Sequence, residues 1–161
     1  MLVRELVDKA EMLEQLSVLN ELYPNLTLDE YSVELDDMLP HRYGQVAVFD
    51  ENECIAISGF WIGNKLWVGK YLELDNIIVL EKYRSQGIGK LMFDFLEKKA
   101  KEQQCNMLSL DSYTNNFSAH KFFYNEGYAP RGFHFIKLLN KDSILKTWAL
   151  MIIHVSVLQL L

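Results

Sequence analysis

The stretch from Tyr71 to about Gln103 limits the fold more than any other part of the sequence. Tyr71 to Val79 is the strongest strand candidate, with β-branched residues at Ile77, Ile78 and Val79. A loop, Leu80 to Gln86, separates it from a long amphipathic helix predicted from Gly87 to about Gln103. Along that helix Ile88, Leu91, Met92, Phe95, Leu96 and Ala100 recur at helical spacing, while Lys90, Asp94, Lys98 and Lys99 take the other faces. An apolar stripe this long must be covered, and the strand before it points to a sheet as the cover. The chain is therefore expected to be a layered protein of sheet and helices.

The rest of the pattern fits that expectation. Met1 to Leu6 is a first strand candidate, and Asp8 looks like the N-cap of a helix carrying Leu13, Leu16, Leu19 and Leu22, stopped by Tyr23-Pro24-Asn25. A second helix is predicted from about Leu28 to Met38, ended by Pro40. Val46 to Phe49 and Cys54 to Ile62 read as a hairpin around Asp50 to Glu53, with Gly63-Asn64 as another turn and Lys65 to Gly69 as the extended end of a strand. After the long helix come a strand Met107 to Leu110, a polar stretch Asp111 to Asn115, a helix Asn116 to Asn125 and a strand Gly132 to Leu138. Strands first and alternation afterwards give an α/β or α+β class with helices on both faces of the sheet.

At 161 residues the chain suits one domain, and half of its residues are apolar, so it can build its own core. The net charge of −6 repels phosphate backbones and anionic lipid surfaces, which argues against nucleic acid or membrane partners. Cys54 and Cys105 lie far apart with no second Cys or His spaced for a metal near either, and they read as reduced thiols. The first residues, Met1-Leu2-Val3-Arg4-Glu5-Leu6, carry an acid early and no long apolar core, unlike a signal peptide. A cytoplasmic location is the resulting expectation. Trp148 to Leu161 is almost wholly apolar yet too short for a span, which needs about 20 apolar residues. It is expected to be buried, either on the same chain's sheet or across a homodimer interface.

The run Arg84-Ser85-Gln86-Gly87-Ile88-Gly89-Lys90 lies where the strand hands over to the long helix. Glycines there let backbone amides come close to a ligand, and a helix that begins at such a loop turns its unpaired N–H groups and positive dipole end toward an anion. It is not a Walker loop, because no Gly-Lys-Ser/Thr follows, and it lacks the three-glycine dinucleotide spacing. Taken alone, a glycine turn that only caps a helix would read the same way.

Two motifs taken together resolve that ambiguity. Val79 followed by Arg84-Ser85-Gln86-Gly87-Ile88-Gly89 resembles the acetyl-CoA pyrophosphate loop of the GNAT superfamily of N-acetyltransferases, usually written Arg/Gln-x-x-Gly-x-Gly/Ala. Downstream, Asn116, Ala119, His120, Phe122, Gly127 and Tyr128 resemble the family's Asn-x-x-Ala-x-x-Phe-Tyr-x-x-x-Gly-Phe helix. The resemblance covers about residues 1–139, with 140–161 as an apolar C-terminal extension outside it. It implies a mixed, mostly antiparallel sheet of six to seven strands with splayed central strands. It also implies acetyl-CoA as cosubstrate, a small-molecule or peptide amine as acceptor, and no metal. The alternative is a non-catalytic acyl-CoA-binding or regulatory module, and transfer of a longer acyl group is a further variant.

By that resemblance the phosphates rest on the amides of Gln86, Gly87, Ile88, Gly89 and Lys90, with Ser85 in the loop and Arg84 offering charge. The pantetheine arm lies along Ile77, Ile78 and Val79, near Asn116, Ala119 and Phe122. A backbone N–H of the splayed strand then faces the thioester carbonyl oxygen as negative charge builds on it. A primary amine is mostly protonated at neutral pH, so an acid must accept its proton, and Asp75 stands four before Val79 with Glu73 two residues earlier. On a regular strand positions 73, 75, 77 and 79 share a face. The family's proton-donating tyrosine falls on Phe123 here, leaving Tyr124, Tyr113 or no acid at all for the departing thiol. His120 reads as structural, and Trp61, Phe60, Tyr23 and Tyr31 are candidates to wall an acceptor pocket.

Overall fold

The computed structural model describes residues 1–137 and Leu139. Its centre is one five-stranded sheet in the order β1-β2-β3-β4-β5, formed by β1 (Leu2–Glu5), β2 (Tyr43–Asp50), β3 (Glu53–Lys65), β4 (Gly69–Val79) and β5 (Met107–Leu110). The first three pairings are antiparallel and β4 with β5 is parallel, so the mixed, mostly antiparallel character is as expected. The strand count is not. Residues 132–137, expected to form another strand, carry no regular structure. Their aromatic and aliphatic side chains face outward instead of alternating onto the sheet, with Phe133 and Phe135 exposed at 80% and 89%. The apolar segment Trp148 to Leu161, with its expected burial and dimer role, lies outside the described residues.

Helices cover both faces. On one, α1 (Lys9–Glu14), α2 (Leu16–Leu19) and α3 (Leu28–Met38) bury Met12, Val18, Leu19, Tyr31 and Leu35 against Ala47, Ile57 and Ile78 of the sheet. The single helix expected after Asp8 is broken at Gln15, although Asp8 does cap α1 by accepting from the Glu11 N–H at 2.9 Å. α3 starts on a capping box, in which the Thr27 hydroxyl meets the Glu30 N–H and the Glu30 carboxylate meets the Thr27 N–H.

On the opposite face α4 (Ile88–Glu102) and α5 (Phe117–Asn125) close the second core. α4 buries Ile88, Met92, Phe93, Leu96 and Ala100, with Phe93 in the place the periodicity gave to Leu91, which is 42% exposed. The Phe93 ring gathers those of Phe122 at 5.0 Å, Phe123 at 6.0 Å and Tyr128 at 5.7 Å. That cluster ties α5 to α4.

One turn differs from expectation. Gly63-Asn64 is not a turn, since β3 continues through it to Lys65 and the reversal comes at residues 66–68. Glycine is needed at 63 because a Cβ there would approach the Tyr71 ring within 2.8 Å.

Candidate active site

The site is built where β4 departs from regularity. On β3 a single residue, Ser58, separates Ile57, paired with Ile78, from Gly59, paired with Asp75; on β4 two residues, Asn76 and Ile77, fill the same interval. This is a β-bulge, with Asn76 in the left-handed region at φ 50°, a conformation asparagine tolerates better than most residues. Ser58 is fully buried, and its hydroxyl lies 3.3 Å from the Asp75 carbonyl oxygen.

The bulge corrects the expected alternation. Glu73 and Asp75 share a face with Ile78, which belongs to the core under α1–α3, while Ile77 and Val79 turn to the α4 side. The extra residue shifts side-chain parity by one, as a register slip would.

Asp75 is held from two directions. Its Oδ2 accepts from Trp61 Nε1 at 3.4 Å and from Asn76 Nδ2 at 3.0 Å. Tyr23 in turn donates its hydroxyl to Asn76 Oδ1. Burial, then the Asp75 charge and the nearby Tyr113, push the Tyr23 phenol well above its ordinary pKa, so it remains a neutral donor. The Tyr113 phenol is raised as well, by burial and the Asp111 charge. Of the aromatic candidates, Trp61 and Tyr23 are at the site. Phe60 is core on the opposite face, and Tyr31 is buried with Gln45 and Tyr43.

Glu73 stands one step back along the same face. Its Oε2 accepts from Ser109 Oγ at 3.3 Å and lies 3.7 Å from Lys65 Nζ. It borders an open hollow of about 390 Å³ with His41, Trp61, Ile62, Gly63 and Tyr71.

In the other direction the β4–β5 ladder, which pairs Tyr71 through Leu74 with Met107 through Leu110, ends with β5, so Asp75 to Val79 run on beyond it toward the loop.

The loop then delivers the chain to α4, with Ser85 at φ 61° and Gly87 at φ 82°. α4 begins at Gly87 with no side-chain cap, and the first N–H groups of a helix have no acceptor within it. Nothing lies within 4 Å of where a Gly87 Cβ would be, so a ligand has open access there. Arg84 is exposed, ties back to the Val79 carbonyl through Nε at 3.0 Å, and forms no ion pair among the described residues. Gln86 anchors to the Lys82 carbonyl at 2.8 Å.

At Gly89 packing also favours glycine, because a Cβ there would come 3.2 Å from the Phe122 ring. Ile88 is likewise core at 1% exposure. Asn116 spends Oδ1 on the Ala119 N–H at 3.3 Å, capping α5. His120 Nε2 contacts the Tyr113 carbonyl oxygen at 2.9 Å, a structural role. Phe123 is drawn into the Phe93 cluster, and Tyr124 next to it is 59% exposed.

Sequence reasoning missed Asn76 and Ser58. The one available signal was an asparagine inside an otherwise strong strand, which is unfavourable unless the backbone breaks there. Among the described residues no cluster of His, Cys, Asp and Glu could hold a metal, and no helix is long and apolar enough to cross a membrane.

Comparison with known proteins agrees with this geometry. The model of the Acetyltransferase (GNAT) family matches residues 5–128. An uncharacterized N-acetyltransferase of Bacillus subtilis is 23% identical over 122 residues, covering 75% of this chain and 86% of that protein. The aminoalkylphosphonate N-acetyltransferase of Salmonella typhimurium is 29% identical over 80 residues, half of each chain. In fold, an aminoglycoside N-acetyltransferase solved in complex with CoA superposes with a TM-score of 0.74 at 15% identity, covering 86% of this chain and 94% of that one.

Proposed function

This chain belongs to the GNAT acetyltransferase family, and we propose that it moves an acetyl group from acetyl-CoA to a primary amine by direct attack of the amine on the thioester. One observation carries the reading. At the end of the β4–β5 ladder, a carboxylate held by two N–H donors meets a strand edge that runs without a β5 partner to an uncapped helix N-terminus.

Acetyl-CoA supplies an activated thioester whose thiol departs readily. The first-turn amides of α4 and the charge of Arg84 hold its phosphates, with Ser85 and Gln86 shaping the loop. The main chain of Ile77 to Val79 offers hydrogen-bonding groups to the pantetheine arm, and Asn116, Ala119 and Phe122 flank it from α5. Asp75 takes the ammonium proton, leaving the amine lone pair available for attack. The Trp61 and Asn76 N–H groups aim the carboxylate. Glu73 draws the cationic acceptor into the hollow. Tyr124, exposed beside Phe123, returns a proton to the departing thiolate. The acceptor is a small molecule or peptide amine, in keeping with what the relatives' names describe for those proteins.

Incubating purified protein with acetyl-CoA and a panel of primary amines tests the proposal. CoA thiol release and acetylated amines in the mass spectrum are expected. Protein that binds acetyl-CoA yet consumes none with any amine would instead be a non-catalytic binding module.

A further inference from the structure

We infer that the acceptor is a linear amine bearing a second positive charge, whose distal ammonium sits against Glu73 and the Tyr71 ring, at the place the Lys65 ammonium holds. The inference rests on the acetyl-transfer reading and narrows its acceptor.

The hollow lies over β3 and β4, with Tyr71 and Glu73 on its β4 side and Asp75 next along the same face, beyond its lining. Its floor is the Tyr71 ring, which lies across Gly63 closely enough that any side chain there would strike it. Over that ring, 4.3 Å from its centroid, stands Lys65 Nζ, and the same nitrogen is 3.7 Å from Glu73 Oε2. An aromatic face and a carboxylate thus already form a complete ammonium site. It is filled by a long side chain from the rim that is 38% exposed and has room to swing away.

Asp75 lies two strand residues from Glu73 beyond the end of the β4–β5 ladder, about 6.6 Å of rise. An extended four- or five-carbon diamine spans such an interval, with one nitrogen at Asp75 and the other at Glu73. An anionic acceptor is poorly served. Among the described lining residues only His41 can carry positive charge, and Lys65 at the rim is committed to Glu73. A monoamine would leave the Glu73–Lys65 pair as it is and gain nothing from it.

The test compares kcat/KM for 1,4-diaminobutane, n-butylamine and 2-aminoethylphosphonate in wild type, Lys65→Met and Glu73→Gln. Lys65→Met should prefer the diamine over butylamine on the order of tenfold, the combined scale of a cation–π contact and a partly exposed ion pair, and wild type less so, because its Lys65 ammonium gives up the same contacts to the diamine. Lys65→Met keeps an apolar stem on Tyr71 but removes the competing ammonium, so KM for the diamine should fall severalfold. Glu73→Gln should bring the ratio of diamine to butylamine close to one. Equal use of both amines by Lys65→Met would overturn the inference while leaving acetyl transfer intact. So would a diamine KM that rises in Lys65→Met, or a phosphonate preference that this variant abolishes. Absence of CoA release with every amine would remove the acetyl-transfer reading and this inference with it.

Discussion

Replacing Gly59 with alanine tests how tightly the site is built into the sheet. A Cβ at this position would lie 2.5 Å from the Tyr43 hydroxyl oxygen and 2.9 Å from its ring carbon Cε2. Tyr43 has little room to yield. It is 7% exposed, its hydroxyl accepts from Gln45 Nε2 at 2.8 Å, and its ring centroid is 4.8 Å from that of Trp61. Overpacking of this kind costs about 1–3 kcal/mol. For a domain of this length that corresponds to a melting temperature lower by about 3–9 °C. A displaced Tyr43 carries Trp61 with it and breaks the Trp61–Asp75 contact, already long at 3.4 Å, so kcat/KM should fall as well. Thermal denaturation followed by circular dichroism, together with initial rates, measures both effects. In Gly59→Ala/Tyr43→Phe the nearest clashing atom is gone, and part of the loss should return. Tyr43→Phe alone should destabilise, because the Gln45 amide loses one of its two phenol partners. Gly59→Ala melting within about 1 °C of wild type at an unchanged rate, or strictly additive effects in the double variant, would refute the reasoning.

Arg84→Glu should raise the acetyl-CoA dissociation constant in calorimetry by roughly tenfold or more, the scale of a lost charge-assisted phosphate contact, with little change in melting because the side chain is exposed; unchanged affinity would remove Arg84 from the phosphate site. Tyr124→Phe should lower kcat less than tenfold, since a thiol with a pKa near cysteine's, about 8.5, leaves largely unaided; a loss of a hundredfold would make the hydroxyl essential. Stability should decline in alkali. Burial holds the phenols of Tyr23, Tyr31, Tyr43 and Tyr128 above their ordinary pKa, Tyr31 to about 12, and pushes the Cys54 thiol up to about 11. The native state favours the neutral forms, so their stabilisation is complete below the unfolded values, about 8.5 for Cys and 10 for Tyr, and is lost as pH climbs from there toward the folded values. The urea midpoint should therefore hold steady near neutrality and fall progressively above about pH 9; a flat profile to pH 11 would contradict it.

The parts of the fold legible in the sequence are those in which local chemistry and packing ask for the same thing. α3 runs from Leu28 to Met38 and β5 from Met107 to Leu110, as read. The Arg84 to Lys90 loop was legible because its glycines lie between a strand and a helix. What was not legible depends on distant partners. Gly63 resembles a turn residue, but its glycine answers to the Tyr71 ring on the neighbouring strand. Gly89 answers to Phe122 on α5 as well, which a Cβ there would crowd. Asn76 adds one residue to β4, and strand periodicity, which assumes none is added, then misassigns Ile77 and Val79. Asp75 and Glu73 precede the bulge, so the face they share follows the regular alternation. The tyrosine hydroxyl absent at Phe123 has a packing cause, since that ring is spent on Phe93.

The most direct test of the central claim, that Asp75 at the β4 bulge accepts the amine proton in an acetyl transfer, is the pH dependence of kcat/KM for wild type and Asp75→Asn with acetyl-CoA and a primary amine. The expected result is a loss on the order of 10² to 10⁴ at pH 7, the span typical of a missing general base. Partial recovery should follow as pH rises toward the amine pKa of about 10, with acetyl-CoA affinity intact. An Asp75→Asn variant as fast as wild type at pH 7 would contradict the account.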